Sequence, residues 1–255
     1  MELNHKSLGQ GEPLIVLHGL FGTLDNWQTL AKSWAEHYLI YLVDLRNHGR
    51  SPHVDGLSYP AMAQDLHDFM EQNWIHKAHI LGHSMGGKVA MEFALTYPDM
   101  VDKLIVVDIA PRPYAPGHDE IFAALFAVDL AALESRQAAE AILEQYIPEW
   151  GVRQFLLKNL SRLKEGGFEW KMNLPIIYRD YAQILEPPSE ADPFEGPTLF
   201  IRGEQSRYVR DEDILHIQEL FPHSTLQTIP NASHWVHADQ PEVLKGMVNE
   251  FLNHA

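Results

Sequence analysis

No cysteine occurs in the 255 residues, which excludes disulfides, thiolate metal sites and a cysteine nucleophile. Any covalent catalysis must therefore use another side chain. Positive charge is also scarce, since 19 lysines and arginines stand against 35 aspartates and glutamates, a formal net charge of −16. A field of that sign repels phosphates at long range, so neither nucleic acid nor an anionic membrane surface is expected as a partner. Long apolar runs are missing as well. None approaches the roughly 20 residues that cross a bilayer, and Met1-Glu2-Leu3-Asn4-His5-Lys6 lacks the apolar stretch of a signal peptide. A cytoplasmic protein is expected. The 15 histidines are scattered; His53, His216, His223 and His254 sit in polar or terminal stretches, and no His-Glu-x-x-His spacing appears. No metal is expected on that spacing test.

What is present is an apolar content of 45%, ample for a buried core. Short apolar runs at residues 3–8, 14–17, 38–44, 78–81 and 103–107 read as strands, several of them continuous enough to be covered on both faces. Helical patterns separate them. One starts at Thr23 or Asp25 and runs through Leu30 and Trp34; a second, 59–73, carries Met62, Leu66, Phe69 and Met70 on one side; a third, 88–95, stops at Tyr97-Pro98. From about residue 112 to 194 no strand pattern is found, only helical segments at 121–128, 131–146, 153–163 and 176–181. Alternation then returns with a strand at 197–203, a helix at 211–220, a strand at 225–229 and a closing helix at 242–252. The simplest fold is α/β, a mostly parallel central sheet flanked by crossover helices, with one helical block inserted. Residues 1–111 and 195–255 would form the core and 112–194 a cap.

The chemistry centres on Gly82-His83-Ser84-Met85-Gly86, which lies between the apolar run 78–81 and the helical run 88–95. Gly-x-Ser-x-Gly in that context reads as a nucleophile elbow, a sharp strand-to-helix turn that lifts a serine out of a sheet. The serine's backbone is strained, so the residues two before and two after it must lack bulk where the chain nearly touches itself. A serine hydroxyl is a poor nucleophile at neutral pH and needs a base within hydrogen-bond reach. His234, in the loop Asn231-Ala232-Ser233-His234-Trp235-Val236-His237 after the last strand, is the candidate base. His237 competes, with a packed histidine at a helix edge as its alternative role.

Three motifs together make the chain resemble an α/β-hydrolase over its whole length: His18-Gly19-Leu20-Phe21-Gly22, Asp44-Leu45-Arg46-Asn47-His48-Gly49-Arg50-Ser51, and the elbow itself. More narrowly, Tyr59-Pro60-Ala61-Met62-Ala63-Gln64-Asp65, Val107-Asp108-Ile109-Ala110-Pro111, His118-Asp119-Glu120-Ile121-Phe122 and Ala232-Ser233-His234-Trp235-Val236-His237-Ala238 are similar to the YbfF-type bacterial esterases. That resemblance implies a serine hydrolase without cofactor or metal, cleaving short acyl esters or acyl-CoA thioesters through an acyl-enzyme on Ser84. It also implies an oxyanion hole built from the backbone N–H groups of Met85 and Leu20, with His18 propping the loop that carries Leu20 and with Arg46, Asn47 and His48 holding the loop around the site.

The third catalytic group departs from the commonest pattern, in which an aspartate ends a Gly-x-x-Asp turn; here the turn is Gly203-Glu204-Gln205-Ser206. The resemblance favours Asp108, with Glu204 as the rival. Asp108 has a short side chain at the end of a buried strand, which suits tight orientation of an imidazole, whereas Glu204 sits on a glycine-containing loop. Phe21, His83, Phe122, Tyr178 and Trp235 are the candidate substrate contacts, and apolar residues of the inserted block are expected to shape an acyl pocket. Two other readings remain at this stage: a C–C hydrolase or lyase on the same scaffold, and a hydrolase-derived receptor for a small ligand.

Overall fold

The computed structural model describes residues 1–253, leaving His254 outside the described residues. The chain opens with β1 (His5–Leu8), β2 (Glu12–Leu17), α1 (Gln28–Trp34), β3 (Tyr38–Val43), α2 (Tyr59–Gln72), β4 (Ala78–His83), α3 (Met85–Thr96) and β5 (Val101–Val107). After an excursion it returns as β8 (Thr198–Gly203), α9 (Ile214–Leu220), β9 (Ser224–Ile229), α10 (Val236–Asp239) and α11 (Pro241–Asn253). The excursion holds α4 (Asp119–Ala127), α5 (Arg136–Glu144), α6 (Trp150–Leu157), the strands β6 (Leu160–Arg162) and β7 (Phe168–Trp170), then α7 (Leu174–Arg179) and α8 (Tyr181–Leu185).

Seven strands form one sheet in the order β1-β3-β2-β4-β5-β8-β9, parallel except for the antiparallel edge strand β1. Alternate residues of each strand feed opposite layers, as the two-residue period of a strand requires. Ile15, Leu17, Ile80, Val106 and Phe200 pack with Met62 and Phe69 of α2 and Val89 and Phe93 of α3. Leu14, Val16, Leu81, Val107 and Ile201 face Trp34 of α1 and Leu244 and Val248 of α11. Cover on both faces is why these strands read as unbroken apolar runs. At about 25 cal/mol per Å² of apolar surface removed from water, these two layers supply most of the favourable free energy of folding.

Two features of the excursion differ from the sequence reading. Residues 160–162 and 168–170 pair as an antiparallel hairpin where no strand was expected. Three-residue strands are too short to display a period, and the turn is made by Gly166 and Gly167 at positive φ (96° and 85°), a conformation glycine adopts without a Cβ penalty. The helix expected over 131–146 covers only Arg136–Glu144, because Ser135 caps it by accepting a hydrogen bond from the Ala138 N–H at 3.1 Å.

The return of the excursion to the sheet is fastened by core side chains. Tyr59 donates to the Ile184 carbonyl at 2.6 Å, Lys88 to those of Leu185 (3.3 Å) and Glu186 (2.5 Å), and Glu92 accepts from both the N–H and the hydroxyl of Ser189 at 2.7 Å. Lys88 and Glu92 are both buried. Burial disfavours the ammonium charge and pulls the Lys88 pKa down to about 7.

Candidate active site

Sheet order brings the candidate groups together. Strands β4, β5, β8 and β9 are neighbours, and each ends on the same edge of the sheet in a residue or loop of the site: Ser84 after β4, Asp108 after β5, Gly203 closing β8, and the 231–235 loop after β9. Ligands of parallel α/β sheets bind at that carboxyl edge.

Ser84 has φ 53° and ψ −121°, a strained conformation for a residue with a Cβ, costing on the order of 1–3 kcal/mol. The turn that holds it depends on its glycines. A Cβ on Gly82 would overlap the Gly86 carbonyl, and one on Gly86 would lie 2.5 Å from the carbonyl oxygens of both Leu17 and His18. Gly86→Ala is accordingly expected to destabilise the fold by at least about 3 kcal/mol, because the opposing atoms are backbone and cannot turn aside. Thermal unfolding checks this: a fall in Tm of roughly 10 °C is expected, and an unchanged Tm would contradict the packing argument.

From Ser84 a chain of hydrogen bonds runs inward. His234 Nε2 lies 3.0 Å from Ser84 Oγ, and its Nδ1 lies 2.7 Å from Asp108 Oδ2. Asp108 is fully buried, and its carboxylate also accepts from the Gly203 N–H at 3.0 Å and the Ser206 hydroxyl at 2.5 Å. Gly203 has no room for a side chain, since a Cβ there would lie 2.5 Å from the Ala232 carbonyl oxygen; this lets the histidine loop lie against the end of β8. Glu204 points elsewhere, accepting from the Asn231 N–H at 2.9 Å. The imidazole is further held by Tyr208, whose ring stacks on it at 3.9 Å and 22°, and by His83, whose Nε2–H donates to the His234 carbonyl at 2.8 Å. His83 is buried, and that burial pushes its pKa well below the ordinary histidine value. It is thus a neutral prop.

His237 occupies a different role. It is half-buried and stacked on Trp27 (4.8 Å, 22°), and burial, then the nearby His234, pull its pKa down to about 4. It lies within α10, and among the described residues it makes no hydrogen bond to Ser84 or Asp108.

The loop after β2 lies across the serine. Leu45 donates its N–H to His18 Nε2 at 3.0 Å, so the ring proton sits on Nδ1 and is donated to the Gly19 carbonyl at 2.8 Å. This bridge ties the loop carrying Leu20 to the turn after β3. That turn is itself closed by Asp44, which accepts from the N–H groups of Leu24 (2.7 Å) and Arg50 (2.9 Å), and by the Arg46–Asp65 pair (2.5 and 2.8 Å). Met85 is the first residue of α3, so its N–H has no intrahelical acceptor and is available beside Ser84.

A cavity of about 370 Å³ opens over Ser84, with Leu20, Met85, Phe21, His83 and Trp235 in its wall. Ile121, Phe155 and Leu156 of the inserted block line it too. Phe122 and Tyr178, expected as substrate contacts, do not. Phe122 is the next residue round the helix from Ile121 and turns into the block, edge-on to Phe21 (5.3 Å) and Tyr181 (5.0 Å), while Tyr178 lies on the outer surface, 55% exposed. The reading of the sequence also missed one partner of the Asp108 carboxylate and one of the imidazole. Ser206 carried a signal, standing where Gly-x-x-Asp has its aspartate; Tyr208 carried none.

Fold and site together define the class. The chain belongs to the α/β-hydrolase family, whose model, described as the alpha/beta hydrolase fold, matches residues 12–145. Within it the chain stands with the YbfF-type esterases: it is 41% identical to Esterase YbfF of Escherichia coli (strain K12) over 242 residues, which is 94% of this chain and 93% of that protein. It is equally 41% identical to the sn-1-specific diacylglycerol lipase ABHD11 of Mus musculus over 247 residues, 94% of this chain and 80% of that one. A solved structure titled "Marine microorganism esterase" is 44% identical and superposes with a TM-score of 0.96 over 98% of this chain and 99% of that one. These relatives support a hydrolase of the α/β superfamily. Among the described residues no helix is long and apolar enough to cross a membrane.

Proposed function

We propose that this protein is a serine esterase that cleaves small acyl esters, and acyl thioesters such as acyl-CoA by the same steps, through an acyl-enzyme on Ser84. The observation that carries the reading is the Ser84–His234–Asp108 hydrogen-bond chain (3.0 and 2.7 Å) at the floor of a largely apolar cavity. His234 Nε2 takes the Ser84 proton as Oγ attacks the acyl carbon, and Asp108 holds the ring's other N–H and balances the imidazolium. The N–H groups of Met85 and Leu20 receive the oxyanion, each worth about 3 kcal/mol on the barrier. The imidazolium then protonates the departing alkoxide or thiolate. In the second half a water attacks the acyl-enzyme, His234 again taking its proton, and Ser84 is restored with release of the acid. Residues 112–194 act as the cap that shapes the acyl side of the cavity.

A panel of p-nitrophenyl acyl esters and acyl-CoAs, run on wild type and Ser84→Ala, tests this. A burst of p-nitrophenol close to one per active site, with Ser84 found acylated by mass spectrometry, is the expected result. Turnover retained in Ser84→Ala would refute it. The cavity wall adds a second expectation. Phe155→Ala and Ile121→Ala should move the preferred acyl length towards longer chains, with several-fold changes in relative kcat/KM, whereas Tyr178→Ala should leave the profile as it is. A shifted profile in Tyr178→Ala would argue against this cavity as the acyl pocket.

A further inference from the structure

Most polar groups in the cavity wall are spent within the protein. The Tyr59 hydroxyl is given to the Ile184 carbonyl, the Tyr114 hydroxyl to the Tyr208 carbonyl at 2.6 Å, and the His83 Nε2–H to the His234 carbonyl. His118, just before α4, differs. Its ring lines the cavity and stands edge-on to Phe21 of the loop after β2 at 6.0 Å. Nδ1 is 2.5 Å from the Tyr181 hydroxyl, which also accepts the Gly117 N–H at 3.3 Å. The Tyr181 hydroxyl has one proton to give, and Nδ1 is the one acceptor within its reach among the described residues, which assigns that proton to Nδ1. The neutral ring then carries its own hydrogen on Nε2. That nitrogen has no hydrogen-bond partner among the described residues, and it is not sealed in the packing.

We propose that His118 Nε2–H is a substrate contact: it donates a hydrogen bond to a second oxygen of the ester, set apart from the scissile carbonyl, and so selects oxygen-bearing small esters over hydrocarbon esters of equal length. This rests on the esterase reading above and narrows its substrate class. Phe21 stands edge-on to the ring, and Ile121 and Ile184 line the same largely apolar cavity. A hydrocarbon occupant strips water from the nitrogen and leaves it unpaired, whereas an ether, hydroxyl or carbonyl oxygen replaces that water. Burial, then the neighbouring His234, pull the His118 pKa down to about 4, so the contact is made by an uncharged ring at neutral pH. It therefore needs no charge on the oxygen it binds.

Two isosteric pairs test the proposal: 2-methoxyethyl butanoate against butyl butanoate, with the oxygen in the alcohol, and methyl 3-methoxypropanoate against methyl pentanoate, with it in the acyl chain. Each ratio of kcat/KM is corrected by the alkaline hydrolysis rates of the same esters. In at least one pair wild type should prefer the ether by about tenfold. That ratio should fall towards one in His118→Leu, be partly restored in His118→Gln, which keeps an N–H at similar reach, and take an intermediate value in Tyr181→Phe, where nothing fixes the tautomer. If His118→Leu fails to fold, the Gln and Phe variants carry the comparison. Equal loss on both members of a pair, an unchanged ratio, or no wild-type preference in either pair overturns it. Failure of the esterase reading is separately visible, because wild type would then cleave none of the four esters and Ser84 would resist a fluorophosphonate.

Discussion

Alanine at Ser84 or at His234 is expected to lower kcat by about five to six orders of magnitude, with the double variant about as slow as either single one. The two side chains share a 3.0 Å hydrogen bond and, in the proposed mechanism, act as one proton-transfer unit, so removing either member should abolish the function of both. The activity left should come from the proposed oxyanion donors and from binding in the cavity, which neither substitution touches. Single-turnover kinetics on a p-nitrophenyl ester measures the effect. Losses that multiply in the double variant would show that Ser84 and His234 act in separate steps. Neither change should unfold the protein, since both side chains stand at the cavity and outside the two packed layers of the sheet.

Asp108→Asn is expected to lower kcat by about two to four orders of magnitude, the size of loss that follows when a triad carboxylate no longer orients its imidazole. The amide can offer Nδ1 an N–H in place of a lone pair, which favours the wrong tautomer. It also disturbs the other two donors on this carboxylate, the Gly203 N–H and the Ser206 hydroxyl. Glu204→Gln should cost less than about tenfold, because its carboxylate accepts from the Asn231 N–H and an amide oxygen can do the same. Ser206→Ala should fall between them, at about tenfold for one hydrogen bond to a charged acceptor. Steady-state kinetics on proteins with matched circular dichroism decides the ranking. A larger loss for Glu204→Gln than for Asp108→Asn would transfer the orienting role to Glu204.

How much of this was legible in the sequence depends on how local each constraint is. The elbow was legible because its requirement is a backbone near-collision within five residues, and Gly82 and Gly86 are the residue types that relieve it. The strands of the sheet were legible because burial on both faces writes a continuous apolar run. The histidine that lies beside Ser84 was legible through its place in a loop between the last strand and the closing helices. The 160–170 hairpin was not, because three-residue strands leave no period and their pairing is recorded only in a glycine turn. Nor was the difference between Ile121 and Phe122. Adjacent aliphatic and aromatic residues on a helix satisfy the same pattern, and only the position of Phe21 and Tyr181, far away in sequence, turns one towards the cavity and the other into the packing.

The sequence by itself determined the class of fold, the nucleophile's turn and the presence of a late histidine, since each follows from residue type within a short window. The tertiary structure decided which carboxylate faces the imidazole: β5 and β8 are neighbours, so the end of one sets Asp108 against His234 while Glu204, past the end of the other, turns to Asn231. It also decided that a serine in the aspartate's usual place donates to the carboxylate that replaced it, and that Tyr208 covers the imidazole face. These are contacts between residues about 30 to 130 positions apart, fixed by strand order and register, and no local pattern records them.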